Sequence, residues 1–218
     1  MKQAWQRFLA MLTPGVRILL CVLATIYLAA VIGRGFRIYD LYSWLALSGQ
    51  TFWSGQMWRI ATFVLLPVGI LDFLMNSIAL VMLGGLLERH WSRREFWLYC
   101  LVTTLGAGLA FACLQFSSPM PFVGATPMIF GLLIAWGFVC GHEVINLLVV
   151  GEITVWKLVL GAAVISLLIM ALTGGLVMAL VMVAGGLTGF IYLWLKHKWL
   201  MSRPGSIAHS ERINRLEL

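Results

Sequence analysis

The chain has 218 residues, of which 61% are hydrophobic and 11% charged, and its mean hydropathy is +0.97. Soluble domains are about 45–50% apolar and about 25% charged, so the composition excludes one and describes an integral membrane protein. The formal net charge of +7 fits attraction to anionic lipid headgroups, whereas the basic tail lacks the interleaved aromatic residues that nucleic-acid binding would need.

Apolar runs long enough for the hydrocarbon core fall at residues 16–32, 65–87, 96–116, 124–139, 155–172 and 176–195. They are continuously apolar instead of alternating, which predicts helices and not a barrel. The expected fold is all-α, a polytopic six-helix bundle. Residues 1–15 form a cytoplasmic N-terminal segment, 16–195 the membrane domain and 196–218 a basic cytoplasmic tail. A cleavable signal peptide is the rival reading of the first run, because residues 1–17 are basic. Five further spans need an anchor of this orientation, and "MLTPGVR" lengthens the basic region beyond the usual.

Orientation follows from the basic residues. With the N-terminus inside, Lys2, Arg7, Arg17, Arg89, Arg93, Arg94, Lys157 and the basic tail from Lys196 onward share the cytoplasmic side. Only Arg34, Arg37 and Arg59 fall outside, so both termini are expected in the cytoplasm. A short tail without a retrieval signal points to a bacterial inner membrane.

Between the first two runs, "GRGFRIYDLYSWLALSGQTFWSGQMWRIATFVLLP" is too aromatic for a solvated loop and too polar for a span. Trp44, Trp53 and Trp58 with Tyr39 and Tyr42 suit the headgroup layer, which predicts short amphipathic helices in the outer interface. "ERHWSRREF" extends the second helix before turning, and "SSPMP" makes an uncharged outer turn. "GHEVINLLVVGEITV" forms an inner loop lying along the membrane. "TGG" is so short that the fifth and sixth spans must make an antiparallel hairpin. Gly84 with Gly85, Gly106 with Ala110, Gly124 with Gly131, and Gly185 with Gly189 permit close helix packing. Cys21, Cys100, Cys113 and Cys140 lack metal-ligand spacing and are expected to be packing residues, with no metal and no cofactor.

Polar residues at membrane depth are candidates for function. Asp72 and Asn76 are four apart, on one face of the second span, and Thr126 opens the fourth. Asp72 can equally cap its helix. A hydroxyl is a poor nucleophile unless a base lies within about 3 Å. His142 follows Thr126 by sixteen residues, about 24 Å of helix, and His90, His197 and His209 lie in or beyond the cytoplasmic loops. Pro127 favours the first position of a helix and pushes the residue before it out of helical geometry. Thr126 is thereby expected at the N-cap, its hydroxyl accepting a backbone N–H.

"GQMWRIATFVLLPVGILDFLMNSIALVMLGGLLERHW", "GATPMIFGLL" and "VAGGLTGF" together resemble the rhomboids, six-span intramembrane serine proteases, from about Gly55 to Phe190. The likeness is most specific at Trp58 and Arg59, and at "NSIALVMLGGLLE" with Asn76 and Glu88 in register. Active rhomboids carry a Ser in Gly-x-Ser-Gly on the fourth span and a His in His-x-x-Gly-x-x-x-Gly on the sixth. A second-span His and Asn hold the oxyanion. Here the Ser position is Thr126, followed by Pro127. The sixth-span His position is Met182, counted from Gly185 and Gly189, or Val183, counted from Gly185 and Gly186. The second-span His position is Asp72, and only Asn76 remains.

The resemblance implies a rhomboid-like pseudoprotease that binds transmembrane segments of client proteins without cutting them. Asn76, Thr126, Trp58 and Arg59 would contact the client, while Pro127, Gly131, Gly185, Gly189 and Glu88 hold the fold. Inactive relatives are associated with membrane-protein quality control. The alternative is a protease in which Asp72 activates Thr126. A transporter is the third reading, but it would need broken helices and ionisable groups near the midplane, which these spans almost lack.

Overall fold

In the computed structural model the described residues are 12–36, 40–147 and 151–201. Lys2, Arg7, Arg37, Tyr39, His209 and the tail beyond residue 201 lie outside them. The first span is α1 (Pro14–Gly35), running about three residues beyond the apolar run at its C-terminal end. The interfacial stretch folds as α2 (Leu41–Leu45), α3 (Gly49–Trp53) and α4 (Arg59–Thr62), followed by a 3₁₀ turn over Phe63–Leu65. Short capped helices suit it: Ser48 and Thr51 form a capping box on α3, and the Asp40 side chain accepts from Tyr42 N at α2. Trp44, Trp53 and Trp58 are all exposed, as a headgroup belt requires.

The second span begins later than its apolar run, because Pro67 forces Leu66 into extended geometry. It comprises α5 (Ile70–Ala79), a π-helical turn over Leu80–Gly84, and α6 (Gly85–His90). As expected, the helix runs on to His90 before turning. Ser92 then caps α7 (Arg93–Leu114), accepting from Glu95 N at 3.3 Å. The fourth apolar run forms α8 (Thr126–Cys140).

The inner loop after α8 differs from expectation. It is an antiparallel hairpin of β1 (Val144–Leu147) and β2 (Gly151–Thr154), pairing Val144 with Thr154 and Leu147 with Gly151. Val144, Ile145, Ile153 and Thr154 are β-branched and favour extended backbone, a signal outweighed in the sequence by the run's overall apolarity.

α9 (Val155–Met201) is formally 47 residues long but breaks at Gly175, whose φ of 81° and ψ of 169° are open to glycine alone. The halves fold back on each other. Val159 and Phe190 line one cavity and Ala163 packs with Met182, although Val159 and Phe190 would stand about 46 Å apart in a straight helix. The expected hairpin of the fifth and sixth runs is therefore present. Four helices among the described residues, α9 included, are long and apolar enough to cross a membrane, and α8 is a shorter apolar one. The protein is an all-α polytopic membrane protein with one small β-hairpin.

Small residues set the packing at the centre. A side chain on Gly189 would overlap Tyr99 and Thr103, one on Gly131 would meet Thr103 Cγ2 at 2.6 Å, and one on Gly106 would overlap Thr188. Helix backbones thus approach closely where no hydrophobic force separates protein from lipid. The buried Tyr99 hydroxyl donates to Gly131 O at 2.7 Å, fastening α7 to α8.

Candidate functional site

Two chain segments converge at the start of α8. Leu47 and Phe122 exchange backbone hydrogen bonds, and Phe122 stacks on Phe63 and Phe111 with centroids 4.8 and 4.4 Å apart. The interfacial stretch is thereby sewn to the strand-like approach to Thr126. Gly124 then takes φ 118°, a conformation strained for any other residue, and donates to Phe63 O at 3.1 Å. This bend aims the chain into α8.

Thr126 is not the N-cap. Ala125 holds that position, Thr126 is the first helical residue, and no side chain caps the helix. Ala125 sits near the helical region (φ −84°, ψ −4°) and Thr126 is itself helical, so Pro127 does not push its predecessor out of the helix; the proline still lies in the first turn, where its missing N–H costs nothing. The Thr126 hydroxyl makes no hydrogen bond among the described residues and lines a cavity of about 380 Å³.

That cavity lies between four helical segments. Ala79 and Leu83 contribute from the second span, Ile129 and Leu133 from α8, Ser166, Ile169, Met170 and Thr173 from the first half of α9, and Met182 from the second half. Met182 is 2% exposed and packs against Phe130 and Ala163. Of the two positions that could carry a histidine, Met182 faces the cavity with Thr126, and Val183 does not line it. A thioether has no basic nitrogen, so it cannot take the proton of a hydroxyl.

Asp72 is close to this loop, its Oδ2 4.0 Å from the point where a Cβ on Gly124 would sit. Both carboxylate oxygens are nonetheless engaged locally: Oδ2 accepts from Val68 N, just before the helix, at 3.1 Å and Oδ1 from Asn76 Nδ2 at 2.9 Å. Gly69 is the N-cap of α5 and Asp72 stands three residues in, reaching back to the chain before the helix. Asn76 is thereby turned toward Asp72.

Trp58 is half exposed, its indole N–H donating to Trp44 O at 3.4 Å. Arg59 is only 7% exposed and gives its fork to Gln56 Oε1, Ala46 O and Ser43 O at 2.6, 2.6 and 2.5 Å. Burial lowers its pKa, yet the three acceptors hold a guanidinium that stays charged. It organises the interfacial stretch and does not reach the cavity. Glu88, 8% exposed at the opposite end of the bundle, accepts from Thr13 Oγ1, from Gly15 N at 2.8 Å and from Val16 N at 2.9 Å. It is a carboxylate set against the N-terminus of α1, where the helix dipole favours negative charge. Pro127 and Gly131 are buried in α8, and a side chain on Gly185 would press on Ala107 Cβ at 3.2 Å and on Pro127 O at 3.4 Å.

Sequence reasoning missed the wall formed by Ser166, Ile169, Met170 and Thr173. Their spacing of three, one and three marks one helix face, and that signal was present but indistinguishable from an ordinary packing stripe.

Comparison with known proteins gives the family. Over 81 residues, 37% of this chain, the sequence is 35% identical to the rhomboid protease GluP of Bacillus subtilis (strain 168), and the match spans 15% of that protein's length. Residues 17–198 match the family described as eukaryotic integral membrane protein (DUF1751). With nearly the whole membrane domain covered by that match, the chain belongs to this family of integral membrane proteins and is rhomboid-like.

Proposed function

We propose that this protein is a rhomboid-like pseudoprotease, crossing the membrane six times with both termini cytoplasmic, that holds transmembrane segments of client proteins without cleaving them. The observation that carries the reading is the environment of Thr126: an apolar cavity that Met182 also lines, with no base hydrogen-bonded to the hydroxyl among the described residues. Among the described residues the carboxylate near the loop is Asp72, and it is held by Asn76 and Val68 N. The eukaryotic description of the family weighs against the bacterial inner membrane suggested by the tail.

Size supports side-chain capture over engulfment. One turn of helix with its side chains, about 5.4 Å long and about 11 Å wide, fills about 500 Å³. A cavity of about 380 Å³ takes less than that, so a client helix lies in lipid against Ala79, Ile169 and Met170 and inserts a few side chains. Anionic lipids around the basic end and a role in membrane-protein quality control accompany this reading.

The test is photocrosslinking from Ile169 to transmembrane-segment reporters in liposomes. Capture of the intact reporter, lost when Met170→Trp fills the cavity, supports binding. A reporter cut only when Thr126 is present would instead favour the protease with Asp72 as base.

A further inference from the structure

The four cysteines are scattered in the sequence, but the fold gathers one of them into a mixed donor set. His90 at the end of α6, Cys140 at the end of α8 and Glu143 in the turn that follows offer one nitrogen, one sulfur and one oxygen, all within 4.8 Å of one another. Fifty residues separate His90 from Cys140, so their meeting is a tertiary feature. We propose that these three side chains form a binding site for a divalent transition-metal ion, zinc by preference, which ties the second span to the fourth at the Glu88 end of the bundle.

The His90 ring and the backbone that carries the other two donors are held in place before any ion arrives. His90 Nδ1 lies 2.9 Å from Leu86 O, and because a carbonyl only accepts, Nδ1 carries the proton and Nε2 keeps its lone pair for a metal. Such a backbone contact is the usual support of a metal-binding imidazole. The turn carrying the other two is pinned on three sides: Glu143 N donates to Cys140 O at 2.9 Å, Val155 N to Glu143 O at 2.9 Å, and Trp156 N to Gly141 O at 3.2 Å. Cys140 is buried at 4% exposure, while His90 and Glu143 are exposed, which leaves an entry path from water.

Donor chemistry selects the ion. Thiolate and imidazole exclude magnesium and calcium, which take oxygen ligands, and favour the later first-row divalent ions. Thiolate, imidazole and carboxylate fill three corners of a zinc tetrahedron and leave the fourth for water. The donors, within 4.8 Å of one another, need to approach to about 3.5 Å around zinc, and the exposed His90 and Glu143 side chains are the ones free to move. On binding, the Cys140 S–H bond breaks, its proton passes to solvent, and the sulfur lone pair forms the bond to the metal. The second span and α8 also wall the cavity at Thr126, so an ion here stiffens one end of the helices that a client must contact.

The experiment is titration of the full chain, purified in detergent and stripped with chelator, first with cobalt(II) and then with zinc. The expected result is a thiolate-to-cobalt charge-transfer absorption that saturates at a single equivalent and is abolished by zinc. Cys140→Ser removes the band, and Cys113→Ser leaves it. His90→Gln and Glu143→Gln, exposed positions that leave the fold alone, weaken binding beyond the about 10–100-fold lost when only a ligand's hydrogen-bond partner is changed. No band in the wild type, a band that survives Cys140→Ser, or unchanged affinity in His90→Gln overturns the site.

Discussion

Replacing Glu88 with glutamine tests how the first helix is held. The carboxylate accepts from Gly15 N through Oε1 and from Val16 N and Thr13 Oγ1 through Oε2. A glutamine has one acceptor oxygen, so either Gly15 N or the Val16 and Thr13 pair must face an NH₂ donor. Losing one hydrogen bond to a charged acceptor costs about 1.5–3 kcal/mol, and losing the charge at the α1 N-terminus about 0.3–1 kcal/mol more. The sum, about 2–4 kcal/mol, corresponds to a fall in melting temperature of about 4–16 °C at about 2–4 °C per kcal/mol for a chain of this length. Thermal unfolding in detergent measures it, with Arg93→Gln as control because Arg93 Nε only approaches Glu88 at 4.0 Å from an exposed position. A Glu88→Gln melting temperature within about 2 °C of the control would refute the reasoning.

Gly189→Leu, which drives a side chain into Tyr99 and Thr103, is expected to lower stability by at least the about 1–3 kcal/mol of an overpacked core, whereas Gly161→Leu, with open space around it, leaves thermal unfolding unchanged. Gly124→Ala imposes φ 118° on a residue with a Cβ and is expected to cost about 1–3 kcal/mol, read in the same assay. Asp72→Asn keeps one acceptor oxygen and is expected to cost about 0.5–1.5 kcal/mol while reporter capture stays intact. Loss of capture in Asp72→Asn, with the fold preserved, would mean that Asp72 contacts the client directly.

The apolar helices were legible because each is a long apolar run with its own backbone bonds satisfied, and Thr-Gly-Gly announced its turn through Gly175. What the sequence hid is mostly tertiary. Val144 to Thr154 is as apolar as a membrane-lying segment, and only its pairing reveals a hairpin. Arg59 resembles a binding residue until Ser43 O and Ala46 O are seen to receive its fork. Thr126 moved one position inward from the expected cap because the bend is made at Gly124, a choice of backbone conformation that the adjacent Pro127 does not fix. Cys140 packs with Val155 and Val159 as expected, and its approach to His90, fifty residues away, is visible only in the fold. The distinction between Met182 and Val183 likewise needed the cavity, since glycine spacing supported both.

The most direct measurement is turnover of a transmembrane-segment reporter in liposomes by the wild-type chain and by Thr126→Ala. The pseudoprotease reading predicts no cleavage by either and equal crosslinked capture of the intact reporter by both. Cleavage by the wild type that Thr126→Ala abolishes would contradict it.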